Sequence, residues 1–153
     1  MSNPFKLLFV NILLLSLFVV GYFFHYVSQI YVNDLSKITY LISGLLFLNI
    51  VLAIWNSFYK FNQRTIYDTK VDKYLAFVGS KFPYIGICGT IIGLAALIQI
   101  LNTVSGGTAS EQIGSLLTAI KAGMLTLFYP TLVGVVAYLW TSVLIFLDEG
   151  KDI

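Results

Sequence analysis

Two threonines, Thr90 and Thr131, place hydrogen-bonding hydroxyl groups within two strongly apolar stretches of the sequence. A hydroxyl group can donate a hydrogen bond to a carboxylate or accept one from a protonated carboxyl, so threonine suits both states of an acid. Thr90 lies about seven residues after Pro83, roughly 10 Å along a helix, and Thr131 lies near the middle of the next apolar stretch. The two hydroxyls are therefore expected at a similar depth. Alternatively, each hydroxyl bonds to a carbonyl of its own helix.

Small residues surround both threonines at helical spacing. The glycines and the proline in question are Gly86, Gly89, Gly93, Pro130 and Gly134. Gly89 and Gly93 form a small-xxx-small pair, which permits close contact between helices. Pro130 removes a helical hydrogen bond and should bend its helix. These residues predict close packing of the two helices or close approach of a partner helix.

No Asp, Glu, Lys or Arg lies in the central part of any apolar stretch. Asp34 and Glu111 fall in predicted outer loops, while Asp148 and Glu149 close the last stretch. His25, near the outer end of the first stretch, is either a proton relay or an interfacial residue among aromatic side chains. No metal-ligand pair, nucleophile–base pair or phosphate loop appears. The sequence therefore predicts neither an enzyme nor a cofactor. If protons cross the membrane at this protein, another polypeptide must supply the carboxylate that carries them.

The elements that position these residues are strongly apolar. Of the 153 residues, 58% are hydrophobic and only 10% are charged, and the mean hydropathy is +0.88. Soluble domains contain about 25% charged residues, so the missing polar surface must face lipid. The net charge of +2 is too small and scattered to indicate nucleic-acid binding. Cys88, the single cysteine, cannot form an intramolecular disulfide.

Four stretches are long enough to cross a bilayer as α-helices, which takes about 20 residues each. The predicted spans are 5–30, 38–59, 83–103 and 114–147. An aqueous segment is predicted over about 60–82, with a helical stretch around residues 67–78 that continues toward the third span. The expected fold is an all-α membrane protein with four transmembrane helices, in a single integral membrane domain over residues 1–153. The first stretch is expected to remain as a helix, because residues 22–26 offer no small-x-small site for signal cleavage.

The connections predict the orientation of the chain. The connection between the second and third spans is basic, with Lys60, Arg64, Lys70, Lys73 and Lys81. Basic loops stay in the cytoplasm, so this segment and both termini are expected inside, an N-in/C-in arrangement.

Around its glycines and threonines the sequence resembles the MotA/TolQ/ExbB proton channel family. The family pattern P-x-x-G-x-x-G-T-x-x-G of the second-last helix appears as Pro83, Gly86, Gly89, Thr90 and Gly93. The T-x-x-G step of the last family helix is similar to residues 131–134. The resemblance covers about the last half of the chain and includes the order of basic segment, glycine-rich span, outer turn and threonine-bearing span.

The resemblance implies a homopentamer in the bacterial inner membrane, with the last two helices lining a central pore. A dimer of a single-span partner, similar to ExbD, TolR or MotB, would stand in the pore, and each copy would contribute an aspartate that exchanges protons. Thr90 and Thr131 would face that aspartate, while Gly86 and Gly93 would let the partner helix approach. The implied function is a subunit of a motor or channel that uses the proton-motive force to energise a periplasmic or outer-membrane process.

Two features depart from the family pattern. The segment over residues 56–82 is shorter than is usual in the family, which disfavours a flagellar stator and favours the ExbB/TolQ side. The additional span at the N-terminus, in contrast, is more like MotA. Two other functions stay open: a small four-helix transporter, which would need an intramembrane carboxylate, and a passive scaffold that uses its glycines only for assembly.

Overall fold

The structure is a computed structural model that describes residues 4–63, 70–103 and 109–148. In these ranges the chain forms five α-helices and no strand. The helices are α1 (Pro4–Phe23), α2 (Tyr26–Asn33), α3 (Ile38–Gln63), α4 (Lys70–Thr103) and α5 (Ala109–Asp148). All of these except α2 are long and apolar enough to cross a membrane. The prediction of an all-α chain with four membrane-spanning helices is confirmed for the described residues.

The first apolar stretch is broken rather than continuous. α1 ends at Phe23 and α2 begins at Tyr26, because His25 has a φ of 62°, a left-handed conformation that cannot continue the helix. After the break, the Tyr31 hydroxyl hydrogen-bonds the Ser43 hydroxyl. This bond holds α2 against the start of α3.

α4 begins earlier than the span predicted from residue 83. It runs from Lys70 through Pro83 without a break, so residues 70–82 are helical and continue directly into the third span. Leu75 and Phe82, at 1% and 0% exposed, are buried against the neighbouring helices. Burying two large apolar side chains offsets the hydrogen bond that proline removes. Arg64, part of the predicted basic connection, lies outside the described residues.

α4 and α5 form a closely packed antiparallel pair. Their buried positions recur at alternating steps of four and three residues, the spacing of knobs-into-holes packing. On α4 these positions are Leu75, Gly79, Phe82, Gly86, Gly89 and Gly93, followed after a second step of four by Leu97, and on α5 they are Pro130, Gly134, Ala137, Thr141, Leu144 and Asp148. Most of them are small, so the two backbones approach closely.

α3 packs across the α4–α5 pair. Ile42 lies in one hydrophobic cluster with Phe82 and Ala137. The first residue of α3, Ile38, lies beside Gly89. The part of α4 that follows Gly89 therefore extends past the start of α3.

Candidate functional site

The two threonine hydroxyls meet between α4 and α5. Thr90 Oγ1 lies 2.6 Å from Thr131 Oγ1 and 2.7 Å from the carbonyl oxygen of Leu127. Both threonine side chains are half-buried, so the helix pair shields the hydroxyls but does not seal them off. The structure thus brings together two residues that are 41 positions apart in the chain.

The donors in this contact can be assigned by counting protons. A carbonyl only accepts, so the Thr90 hydroxyl donates to the Leu127 carbonyl, and the Thr131 hydroxyl donates to Thr90 Oγ1. The Gly86 carbonyl of α4 is a second acceptor for the Thr90 proton, but it is farther away, at 3.3 Å. Thr90 therefore links α4 to α5 rather than bonding only to its own helix. The Thr131 hydroxyl can turn to another acceptor without breaking this link.

Glycine makes the contact possible because the backbone of α5 lies directly against α4. A Cβ on Gly86 would lie 2.6 Å from the Pro130 carbonyl oxygen and 2.9 Å from Thr131 Cα. A Cβ on Gly134 would lie 2.6 Å from the Phe82 carbonyl oxygen. Optimal carbon contacts are about 3.5–4.0 Å, and backbone atoms cannot rotate away. The space beside Gly86 is filled by α5 of the same chain, which leaves no room there for the partner helix expected from the sequence.

Gly89 and Gly93 differ in what surrounds them. A Cβ on Gly89 would lie 2.6 Å from Pro130 Cβ and 3.1 Å from Ile38 Cγ2, so this glycine packs within the subunit. A Cβ on Gly93 would lie 3.6 Å from Leu127 Cδ2, which is an ordinary contact. The subunit alone therefore does not require glycine at residue 93, and approach of a partner helix there stays a prediction.

The threonine pair is a polar site within two uncharged stretches. No Asp, Glu, Lys, Arg or His occurs in residues 82–110 or 122–147. These two stretches of α4 and α5 therefore provide hydrogen-bonding hydroxyls and no Asp, Glu, Lys, Arg or His of their own.

A second polar site, which the sequence reasoning missed, lies at the other end of the α4–α5 pair. Lys60 Nζ lies 2.8 Å from Asp72 Oδ2 and 2.7 Å from Asp148 Oδ2. Asn56 Nδ2 donates to Asp72 Oδ1 at 2.8 Å and to Asp148 Oδ2 at 3.1 Å. Lys60 and Asp148 are 5% and 3% exposed. We call these four residues the lysine–aspartate cluster, which ties α3, α4 and α5 together.

The sequence indicates one part of this cluster, the pairing of Asn56 with Lys60 on one helix. Asn56 and Lys60 are four residues apart, which places them on one face of α3. Lys60 and Asp148, however, are 88 positions apart, and no local pattern relates them. The sequence places Lys60 in a basic loop and Asp148 at the end of a helix, and neither assignment indicates the buried ion pair between them.

Asp34 lies where α2 ends and stabilises the start of α3. Its carboxylate accepts hydrogen bonds from the backbone N–H and the hydroxyl of both Ser36 and Thr39. Burial alone would raise the pKa of Asp34, but these hydrogen bonds outweigh burial and hold the pKa below its ordinary value.

The other candidate residues are not brought to the threonine pair. His25 is exposed at the break between α1 and α2, and Cys88 is an exposed free thiol. Glu149 and the side chain of Glu111 lie outside the described residues. Among the described residues no group of three or more potential metal ligands occurs.

Comparison with known proteins identifies one family. A model described as the MotA/TolQ/ExbB proton channel family matches residues 51–146. The matched range contains both threonines and the whole of α4, together with parts of α3 and α5. No curated protein and no solved structure matches the chain.

Proposed function

This chain belongs to the MotA/TolQ/ExbB proton channel family, and on that basis we propose that it is a ring subunit of an inner-membrane complex driven by the proton-motive force. In the proposed assembly five copies form a ring, both termini face the cytoplasm, and α4 and α5 line the pore. A dimer of a single-span partner, similar to ExbD or TolR, stands inside and contributes the proton-carrying aspartate. The complex transmits work to a periplasmic or outer-membrane process.

The hydroxyl pair supports this proposal because it can serve a carboxyl group in both protonation states. An ionised carboxylate accepts a hydrogen bond from the Thr131 hydroxyl, which turns away from Thr90 Oγ1. A protonated carboxyl donates to Thr131 Oγ1 instead, and the Thr131 hydroxyl points back to Thr90. The bond from Thr90 to the Leu127 carbonyl is kept in both arrangements. The pair therefore returns to its starting state without holding a proton itself.

The apolar surroundings of the threonine pair determine how strongly a hydrogen bond from its hydroxyl to a carboxylate affects the rate of proton transfer. A carboxylate is poorly solvated in an apolar stretch, so each hydroxyl that bonds to it matters more than it would in water. A hydrogen bond to a charged group contributes about 1.5–3 kcal/mol, so its loss should slow proton transfer by about 10- to 150-fold. This estimate makes the hydroxyl of Thr131 a measurable component of proton passage.

Replacing Thr131 with valine tests the proposal, since valine keeps the shape and removes the hydroxyl. The complex with its single-span partner is reconstituted in vesicles, and proton entry under an imposed potential is followed with an internal pH-sensitive dye. We expect proton flux to fall by about tenfold or more while the complex still assembles. Thr118→Val is the matched control, because Thr118 lies exposed on α5 and its hydroxyl bonds to the Gly114 carbonyl of the same helix at 2.9 Å.

Two results would count against the motor role. Unchanged flux and partner binding in Thr131→Val would leave the hydroxyl pair without a part in proton passage and favour a passive scaffold. Full proton flux in vesicles without the partner would favour a self-contained four-helix transporter.

A further inference from the structure

A pocket of about 380 Å³ lies between α1, α2 and α3, a volume within the range of about 300–1,000 Å³ that is usual for small-molecule sites. α2 holds the other two helices apart there. The centre of the Tyr31 ring of α2 lies 6.4 Å from that of Phe18 on α1 and 5.0 Å from that of Tyr40 on α3. Farther along the bundle, Ile50 of α3 and Trp140 of α5 line the pocket and pack in one hydrophobic cluster. The pocket is therefore separate from the threonine pair.

The pocket is as deep as one leaflet of a bilayer. Its lining residues on α3 run from Tyr40 to Ile50, roughly 15 Å of helix. α3 is long and apolar enough to cross a membrane and begins at Ile38, so Tyr40 lies near the edge of the hydrocarbon layer. The whole layer is about 30 Å thick, so the pocket reaches its middle. Phe18 and Phe47 in the pocket wall are exposed, so the pocket opens on the outer surface of the chain, where lipid tails lie.

The half-buried polar side chains of the pocket already use their protons within the chain. The Ser28 and Ser43 hydroxyls each donate to a backbone carbonyl three or four residues earlier, at 3.0 and 2.8 Å. Because the Ser43 proton is used in this way, the Tyr31 hydroxyl donates to Ser43 Oγ. The Trp140 indole N–H donates to Asn11 Oδ1 at 3.0 Å. These residues therefore present apolar surface to the pocket, which suits a hydrocarbon chain rather than a polar solute.

A positive charge lies at the mouth of the pocket. The Lys37 ammonium group lies 5.9 Å from the centre of the Tyr40 ring, and Tyr40 lines the pocket. The other charged residue in this connection is Asp34, but its carboxylate is buried and accepts four hydrogen bonds from Ser36 and Thr39. The Lys37 side chain is exposed, so its charge is available to an anionic group. Lysine near a membrane surface attracts anionic lipids.

We propose that each subunit binds one phospholipid, with an acyl chain in the pocket between α1, α2 and α3 and the phosphate group at Lys37. The depth of the pocket, its apolar surface and the lysine at its mouth match the length, the tail and the head of one lipid molecule. Apart from Trp140, the lining residues come before residue 51, outside the range that matches the family. The site goes beyond the proposed function, because it depends only on the position of α1 and α3 in a membrane. Trp140 and Thr131 share α5, so the lipid contacts a helix proposed to line the pore.

Ser28→Phe fills the pocket without leaving a polar atom unpaired, because the His25 carbonyl still accepts the Gln29 N–H. Ser16→Phe is the matched control. The Ser16 hydroxyl also bonds to a carbonyl three residues earlier, but Ser16 is exposed on α1 and does not line the pocket. The two variants therefore add the same ring inside and outside the site.

Native mass spectrometry counts bound lipid when the purified full chain, freed of lipid, is titrated with dioleoyl phosphatidylglycerol. Displacing two methylene groups from an apolar site weakens binding by about 15-fold. We therefore expect Ser28→Phe to bind this lipid at least about tenfold more weakly than wild type, and Ser16→Phe to match wild type. Equal affinity of the two variants would overturn the proposal.

Lys37→Asn tests the contact with the phosphate. Lys37 has a φ of 57°, a left-handed conformation that asparagine adopts more readily than most residues, so the turn is kept. We expect the affinity for phosphatidylglycerol to fall by about fivefold. Dioleoylglycerol, which lacks the phosphate, should bind the variant and wild type equally. An unchanged affinity for phosphatidylglycerol would overturn the assignment of the phosphate to Lys37.

Quenching of Trp140 fluorescence tests the site without altering the pocket. Trp55→Phe leaves Trp140 as the single tryptophan, and bromine on an acyl chain quenches a tryptophan that it contacts. In detergent micelles, we expect Trp140 quenching to saturate at about one brominated phosphatidylglycerol per subunit. The Trp55 emission of the wild type should instead be quenched in proportion to the lipid content of the micelle, because Trp55 is 74% exposed on α3.

Two quenching results would overturn the proposal. Trp140 quenching that rises only in proportion to the lipid content would show ordinary contact with bulk lipid. Absence of Trp140 quenching at every lipid content would show that a neighbouring copy of the chain covers the pocket. Both measurements report lipid binding and not proton flux, so their failure is distinguishable from a failure of the proposed function.

Discussion

Substituting Gly86 with alanine disturbs the close helix contact that brings the two hydroxyls together. The added Cβ would meet the Pro130 carbonyl oxygen at 2.6 Å and Thr131 Cα at 2.9 Å. To restore a contact of about 3.5 Å, α4 and α5 must separate by about 0.9 Å. The Thr90–Thr131 distance of 2.6 Å would then exceed the hydrogen-bonding limit of about 3.2 Å.

Three contributions determine how Gly86→Ala changes the free energy of unfolding. Overpacking against backbone costs about 1–3 kcal/mol, and the lost hydrogen bond adds about 1 kcal/mol. Alanine recovers about 1 kcal/mol because it favours the helix over glycine. We therefore expect Gly86→Ala to lower the free energy of unfolding by about 1–3 kcal/mol.

The difference in the free energy of unfolding between Gly86→Ala and wild type is measured by unfolding both proteins in mixed micelles and following tryptophan fluorescence. The matched control is Gly93→Ala, because a Cβ at residue 93 would lie at an ordinary 3.6 Å from Leu127 Cδ2. That variant should be at least as stable as wild type. Equal stability of the two variants would refute the reasoning, since of these two glycines only Gly86 faces backbone atoms at close range.

The polar contacts outside the threonine pair give three more predictions. Asp34→Ala should cost about 0.5–2 kcal/mol. Because the folded-state pKa of Asp34 is lowered, its stabilisation is present above the unfolded-state pKa and lost as pH falls through the folded-state pKa, so thermal unfolding of variant and wild type should converge in acid. Asn11→Leu leaves the Trp140 indole N–H, which now donates to Asn11 Oδ1 at 3.0 Å, without its acceptor and should cost about 1–3 kcal/mol in micelle unfolding. Lys60→Met removes the ammonium group that Asp72 and the buried Asp148 share and should cost about 3–5 kcal/mol, with Lys60→Arg as the charge-retaining control.

The threonine contact could be expected from the sequence because it depends on local properties. Helical rise sets the depth of Thr90 after Pro83, and the same reasoning applies to Thr131 in a helix of opposite direction. The glycine spacing likewise indicates a close contact on one face of each helix. It does not indicate which helix makes the contact, since the pattern is the same for a neighbour in the same chain or in another. Only the structure shows that Gly86 and Gly134 face each other's helices within one subunit.

Other features depend on interactions that sequence patterns do not encode. The sequence indicates a helical stretch in the basic segment, but only the structure shows that α4 runs unbroken from Lys70 through Pro83 and buries Leu75. The first stretch breaks at His25, whose backbone has a left-handed conformation. Because this conformation is uncommon for residues other than glycine, the sequence did not indicate the break. The lysine–aspartate cluster joins three helices whose pairing becomes known only after the chain is folded.

The central claim is that Thr90 and Thr131 face a carboxyl group supplied by another chain. A high-resolution electron cryo-microscopy structure of the complex purified with its single-span partner measures this directly. We expect a five-membered ring in which a partner aspartate oxygen lies about 2.6–3.2 Å from Thr131 Oγ1 in at least one subunit. A ring in which every threonine pair faces lipid or a neighbouring copy, with the partner carboxyl at another level, would contradict the account.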